Sequence, residues 1–152
     1  MMIHSLWLHS LFSLHLTLLA AAPVTPGATG TIPAALYPSV ETRVDRSEIL
    51  IGDVFHLSVT VTHDPGVTIL ERETASELGQ FEIKDIDPGN EEKLDDGRLR
   101  RTIDYRLSTF FTGEFDIPPF AIHFRTGDGR EGSVQTSPMK IKVRSLTPEE
   151  SE

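Results

Sequence analysis

Residues 103–124 read I-D-Y-R-L-S-T-F-F-T-G-E-F-D-I-P-P-F-A-I-H-F, and the rest of the chain is best read outward from them. Ile103, Tyr105 and Leu107 alternate with Asp104, Arg106 and Ser108, the two-residue period of a strand with one apolar and one wet face. Thr112-Gly113 breaks the run. Ile117-Pro118-Pro119 predicts an extended crossover, because neither proline offers a backbone donor and the residue before a proline is pushed out of the helical region. Phe120, Ile122 and Phe124 then resume the alternation, with Ala121, His123 and Arg125 facing out. Five of the eight phenylalanines, Phe110, Phe111, Phe115, Phe120 and Phe124, fall in this stretch. Aromatic rings bury the most area per residue, so the core is expected to centre here.

Turn signals and alternation continue on both sides. Val40, Thr42 and Val44 suit an edge strand, and Glu48–Ile51 a short strand closed by Gly52-Asp53. Phe55, Leu57, Val59 and Val61 alternate with His56, Ser58, Thr60 and Thr62 in the cleanest strand pattern of the chain. Asp64-Pro65-Gly66 reads as a turn in which proline sets φ and glycine supplies a positive φ. Val67–Leu70 suits a strand. Glu71–Leu78 has helix-forming residues but no apolar stripe, so it reads as a loop or one helical turn. Phe81, Ile83 and Ile86 suggest a strand ending at Asp87-Pro88-Gly89-Asn90, and Asp96-Gly97 turns the chain into Leu99–Ser108. Thr126–Gly132 closes a hairpin, with Val134 after it. In the last strand Met139, Ile141 and Val143 face inward, with Lys140, Lys142 and Arg144 outward. About seven short strands without an amphipathic helix predict an all-β, immunoglobulin-like β-sandwich. Its expected core is Phe55, Leu57, Val59, Val61, Ile103, Tyr105, Leu107, Phe115, Ile117, Phe120, Ile122, Phe124, Met139, Ile141 and Val143.

Charge divides the chain. All 14 Lys+Arg and 23 Asp+Glu residues lie at or beyond Glu41 of the 152 residues. Residues 1–22, with a leucine-rich run from Leu6 to Leu19 and three alanines, read as a signal peptide leading to the periplasm or cell envelope. Cleavage after Ala22 leaves Pro23 at the new N-terminus, and the competing reading is an uncleaved membrane anchor. The short run, interrupted by His9, Ser10, Ser13 and His15, favours cleavage. Residues 23–38 read as a flexible Pro/Gly/Ala linker, 39–146 as the sandwich, and 147–152 as a loose acidic tail. The net charge of −9 argues against nucleic acid. With no cysteine there is no disulfide, lipidated N-terminus, thiolate nucleophile or cysteine-ligated metal.

Each sharper constellation has a bland competitor. Gly127-Asp-Gly129-Arg-Glu-Gly132 matches G-x-G-x-x-G, but phosphate binding needs a following helix N-terminus, and strands flank it here. Asp85, Asp87, Asn90, Asp95 and Asp96 make an oxygen-rich stretch and are weak calcium candidates. The EF-hand spacing fails there, because Asn90 stands where glycine is required. His56, His63 and His123 lie on different segments with nothing to join them into a zinc site. No serine or carboxylate sits in a nucleophile or paired-acid setting, so no catalytic residue is assigned and no enzyme, cofactor or small-molecule substrate is expected. Tyr105 is the sandwich's sole Tyr or Trp and points inward, which removes a sugar-stacking platform.

V-D-R-S-E-I-L-I-G-D-V-F-H-L-S-V-T-V (Val44–Val61), Y-R-L-S-T-F-F-T-G-E-F-D-I-P-P-F-A-I (Tyr105–Ile122) and S-P-M-K-I-K-V (Ser137–Val143) resemble the N-terminal periplasmic region of BatD-like proteins, the bacterial oxygen tolerance (aerotolerance) family. The resemblance covers about residues 40–146. It implies immunoglobulin-like envelope domains that act as non-enzymatic partners of von Willebrand A-domain membrane proteins and a MoxR-type AAA ATPase. No catalytic residue carries over. Family members have further domains and a C-terminal membrane span, so the chain ending at Glu152 reads as a fragment, a truncated paralogue or a free periplasmic domain. The alternative reading is a secreted calcium- or carbohydrate-binding sandwich.

Overall fold

The two longest alternating runs of the sequence form the two longest strands, and these pair with each other. A computed structural model describes residues 30–71 and 75–147. The expected leader (1–22), the first part of the linker and the tail beyond 147 lie outside the described residues. Twelve strands occur among those described: β1 (Ser39–Val44), β2 (Glu48–Leu50), β3 (Phe55–His63), β4 (Val67–Leu70), β5 (Glu77–Leu78), β6 (Phe81–Asp87), β7 (Glu91–Lys93), β8 (Leu99–Ser108), β9 (Gly113–Ile117), β10 (Ala121–Thr126), β11 (Glu131–Gln135) and β12 (Met139–Arg144). The all-β sandwich expectation holds, with more and shorter strands than the expected seven. Alternation could not reveal the extra ones. β5 has only two residues, β7 is three exposed charged residues, and β9 runs from a glycine into the proline crossover.

One layer is a sheet in the order β1-β3-β8-β6-β5, with β7 also paired to β8. Facing it are two three-stranded sheets, β2-β12-β9 and β11-β10-β4. Pro118-Pro119 carries the chain from β9 in one small sheet to β10 in the other. β3 and β8 pair antiparallel in unbroken register from Phe55↔Leu107 to His63↔Leu99. On their outer faces Ser58 donates to the Asp104 carboxylate, and the Thr60 and Thr102 hydroxyls meet at 3.1 Å. The inner faces bury Phe55, Leu57, Val59, Val61, Ile103, Tyr105 and Leu107 against Ile117, Ile122, Ile141 and Val143 of the facing sheets. Phe81 lies edge-on between Phe55, at 5.4 Å between centroids, and Phe115, at 6.3 Å. Phe115, Phe120 and Met139 are half-buried at the margin, while Phe124 belongs to a second cluster with Ile32 and Val67.

Four local expectations are corrected. The five clustered phenylalanines do not all mark the core: Phe110 and Phe111, absent from the expected core residues, are 66% and 59% exposed. The inward parity after Leu107 falls on Thr109, which is buried, and the chain turns before Phe111 can follow. Part of the linker is ordered: a 3-10 turn at Ala34–Leu36 follows buried Ile32, and Tyr37 packs edge-on against Phe124 at 5.2 Å. These apolar side chains cover Phe124 and Val67 on the inner side of the small sheet. The turn at Asp64-Pro65-Gly66 forms, closed by Val67 N donating to Asp64 O at 2.9 Å, but Gly66 does not use a positive φ. Glu77–Leu78 is a short strand rather than part of a helical turn.

Candidate functional site

Two features of the surface are candidate sites. The first is the tip between β8 and β9. Ser108 and Thr109 are both buried; Thr109 O accepts from Gly52 N at 2.9 Å, and Thr109 Oγ1 accepts from Phe111 N at 3.3 Å. The base of the turn is thus fixed while its next two rings stand in solvent. Lys84 Nζ lies 5.8 Å from the centre of the Phe110 ring. Fully burying a phenylalanine is worth roughly 1.5–3 kcal/mol, so two adjacent exposed rings forgo a large stabilisation inside the fold.

The second feature is a groove of about 550 Å³ between the layers. Its walls are Ile69, Ile86, Ile103, Phe120 and Ile122, with Tyr105 edge-on to Phe120 at 5.5 Å. Burial pushes the Tyr105 hydroxyl above its ordinary pKa, so it stays a neutral phenol. Arg101 and His123 also line the groove. His123, expected to face out, does alternate with buried Ile122 on β10, and it is half-buried at the edge of this opening. Arg101 was not singled out by sequence reasoning. Its parity with Ile103 and Tyr105 was the available signal, a charged residue in a run of inward positions.

The calcium candidates do not converge. The Asp85 carboxylate meets Arg106 at 3.4 Å, Asp87 Oδ1 accepts from Gly89 N at 2.9 Å, and Asp96 holds Arg98 at 2.8 Å. Asn90 is in the loop before β7, and Asp95 shares the turn with Asp96. Among the described residues no group of three or more His, Asp or Glu side chains could hold a metal ion. His63 is buried, with Nδ1 3.0 Å from Asp64 O, whereas His56 is exposed on the opposite face of β3.

The G-x-G-x-x-G stretch is the β10–β11 hairpin. Thr126 N donates to Arg130 O and Gly129 N to Thr126 O, both at 2.8 Å. Gly132 pairs with Phe124, and a Cβ added there would lie 2.8 Å from the Phe124 ring. That glycine makes room for an aromatic ring, not for a phosphate. Hydrogen bonds from Arg130 and then from the Thr126 hydroxyl hold the Asp128 carboxyl far below the usual carboxylate range. Its folded pKa is therefore below the unfolded one. The resulting stabilisation is present above the ordinary aspartate pKa, about 3.9, and is lost only as pH falls through the lower folded value. In a carboxyl NMR titration Asp128 should stay ionised at about pH 3.9, where a free aspartate is half protonated; half protonation of Asp128 at that pH would refute the clamp.

A family model described as the BatD DUF11 like domain matches residues 42–143. The chain belongs to the BatD family. No curated protein and no solved structure matches the chain. The matched span of the BatD domain starts within β1 and ends within β12, so it contains both the Phe110–Phe111 tip and the groove. Among its described residues no helix is long and apolar enough to cross a membrane.

Proposed function

We propose that this BatD domain is a non-enzymatic interaction module of the bacterial envelope, exported to the periplasm. Its Phe110–Phe111 tip docks on a von Willebrand A-domain membrane protein, in systems that pair such proteins with a MoxR-type AAA ATPase and serve oxygen or stress tolerance. The observation carrying this reading is the tip itself. Two exposed aromatic rings on an anchored turn have the form of interface anchors, which are aromatic, clustered and presented at little conformational cost. Lys84 under Phe110 adds a cation beside the apolar surface.

The test is a pull-down from envelope extract with the wild-type chain and a Phe110→Ser/Phe111→Ser double variant. The wild type should recover von Willebrand A-domain proteins. The variant should lose them while its melting temperature changes by only a few degrees, since exposed substitutions cost about 0.5 kcal/mol or less. Equal recovery by both proteins, or recovery of glycans alone, would refute the docking site.

A further inference from the structure

The geometry points to a second site, independent of the tip: the inter-layer groove binds a small amphipathic carboxylate, with its apolar tail between the sheets and its carboxylate on Arg101. The argument begins with strand parity. Arg101 continues the inward series of Ile103, Tyr105 and Leu107 on β8, so a guanidinium lies on the apolar face of a sandwich, at the groove. Inner sandwich faces are otherwise apolar.

That guanidinium is incompletely satisfied. Glu71 takes Nη1 at 2.8 Å, yet the Glu71 side chain is itself 69% exposed. Arg101 Nε is buried and, among the described residues, has no hydrogen-bond partner. A buried charged donor left unpaired is costly. A carboxylate lying along the guanidinium edge would engage Nε and a second N–H together, the two-point geometry that the planar fork favours. Glu71 makes a one-point, solvent-exposed contact on Nη1, worth at most about 1 kcal/mol, and leaves the edge formed by Nε and Nη2 to a ligand carboxylate.

His63 pairs with Leu99, two residues from Arg101 on β8; its buried Nε2 makes no hydrogen bond among the described residues but lies 3.7 Å from Glu91 Oε2. Two of the three buried side-chain atoms without a hydrogen bond among the described residues therefore lie at one end of the β3–β8 pair. The groove's volume of about 550 Å³ falls within the roughly 300–1,000 Å³ of small-ligand sites. Its isoleucine walls suit an alkyl tail, and one guanidinium matches a single anionic head rather than a polyanion.

The experiment is an amide NMR titration of the full chain with decanoate, using 1-decanol as the uncharged control. Decanoate should shift the amides of Ile103, Tyr105, Phe120 and Ile122, and decanol should bind about tenfold more weakly or worse. Arg101→Gln should weaken decanoate by about tenfold or more, and Arg101→Lys by less, because charge survives without the fork. Glu71→Gln should tighten binding by about two- to fivefold by removing a competing negative charge from the guanidinium. The Glu71→Gln and decanol arms decide the matter if Arg101→Gln does not fold. Absence of shifts in the groove, equal binding of acid and alcohol, weaker binding by Glu71→Gln, or shifts confined to the Phe110–Phe111 tip would each overturn the site.

Discussion

Phe81→Ala should destabilise the domain by about 3–5 kcal/mol, the usual cost of removing a fully buried phenylalanine. Phe81 has no exposed surface and joins Phe55 to Phe115 in an edge-to-face series across the layers. Its loss removes both ring contacts and leaves a void that strands held in register on either side cannot close. For a domain of this size each kcal/mol corresponds to about 4–8 °C, so the melting temperature should fall by more than about 12 °C. Denaturant unfolding of Phe81→Ala beside Phe110→Ala makes the comparison sharp. The same deletion at Phe110, in solvent, should cost about 0.5 kcal/mol or less. Equal costs at the two positions would contradict the division between core and tip.

The second large effect is predicted at Gly89. β6 stops pairing with β8 at Asp87↔Asp104, and β7 resumes at Glu91↔Arg101. The chain between them passes directly over the β8 backbone. Gly89 adopts φ +63°, and a Cβ built there would lie 2.0 Å from the Thr102 carbonyl oxygen. Backbone cannot yield as a flexible side chain can. Gly89→Ala should therefore pull β6 and β7 away from β8 at a cost of about 3 kcal/mol or more, positive-φ strain included. Gly66 is the control: it has no positive φ, and nothing lies within 4 Å of an added Cβ. Gly66→Ala should be neutral or stabilise by up to about 1 kcal/mol through the unfolded chain. Thermal melts of the two variants check the pair, and similar melting temperatures would refute the close passage.

These two positions show what a sequence can and cannot reveal. The faces of β3 and β8 were legible because each has a long run of strict alternation, and the Pro118-Pro119 crossover because proline chemistry is local. The bulk of the core followed from the same pattern. Phe110 and Phe111 counted toward the aromatic centre of the stretch but were not among the expected core residues, and parity agrees: Thr109 takes the inward place, and a turn begins before Phe111. β7 escaped notice because its pairing with β8 depends on a distant strand and not on any apolar residue of its own. Of the candidate sites, only Arg101 left a trace, as a charge in an inward position. Its proximity to Glu71, and the groove beside it, are products of how the layers meet.

The central claim is a sandwich whose middle strands, β3 and β8, are covered on both edges while the Phe110–Phe111 tip stays outside. Residue-resolved amide hydrogen exchange tests it most directly. The slowest amides should lie in β3 and the paired part of β8, those of β1 at the sheet edge should exchange faster, and Phe110 and Thr112 should exchange near the rate of free chain. Protection of Phe110 and Thr112 equal to that of Leu57 and Tyr105, or rapid exchange throughout β3 and β8, would contradict the account.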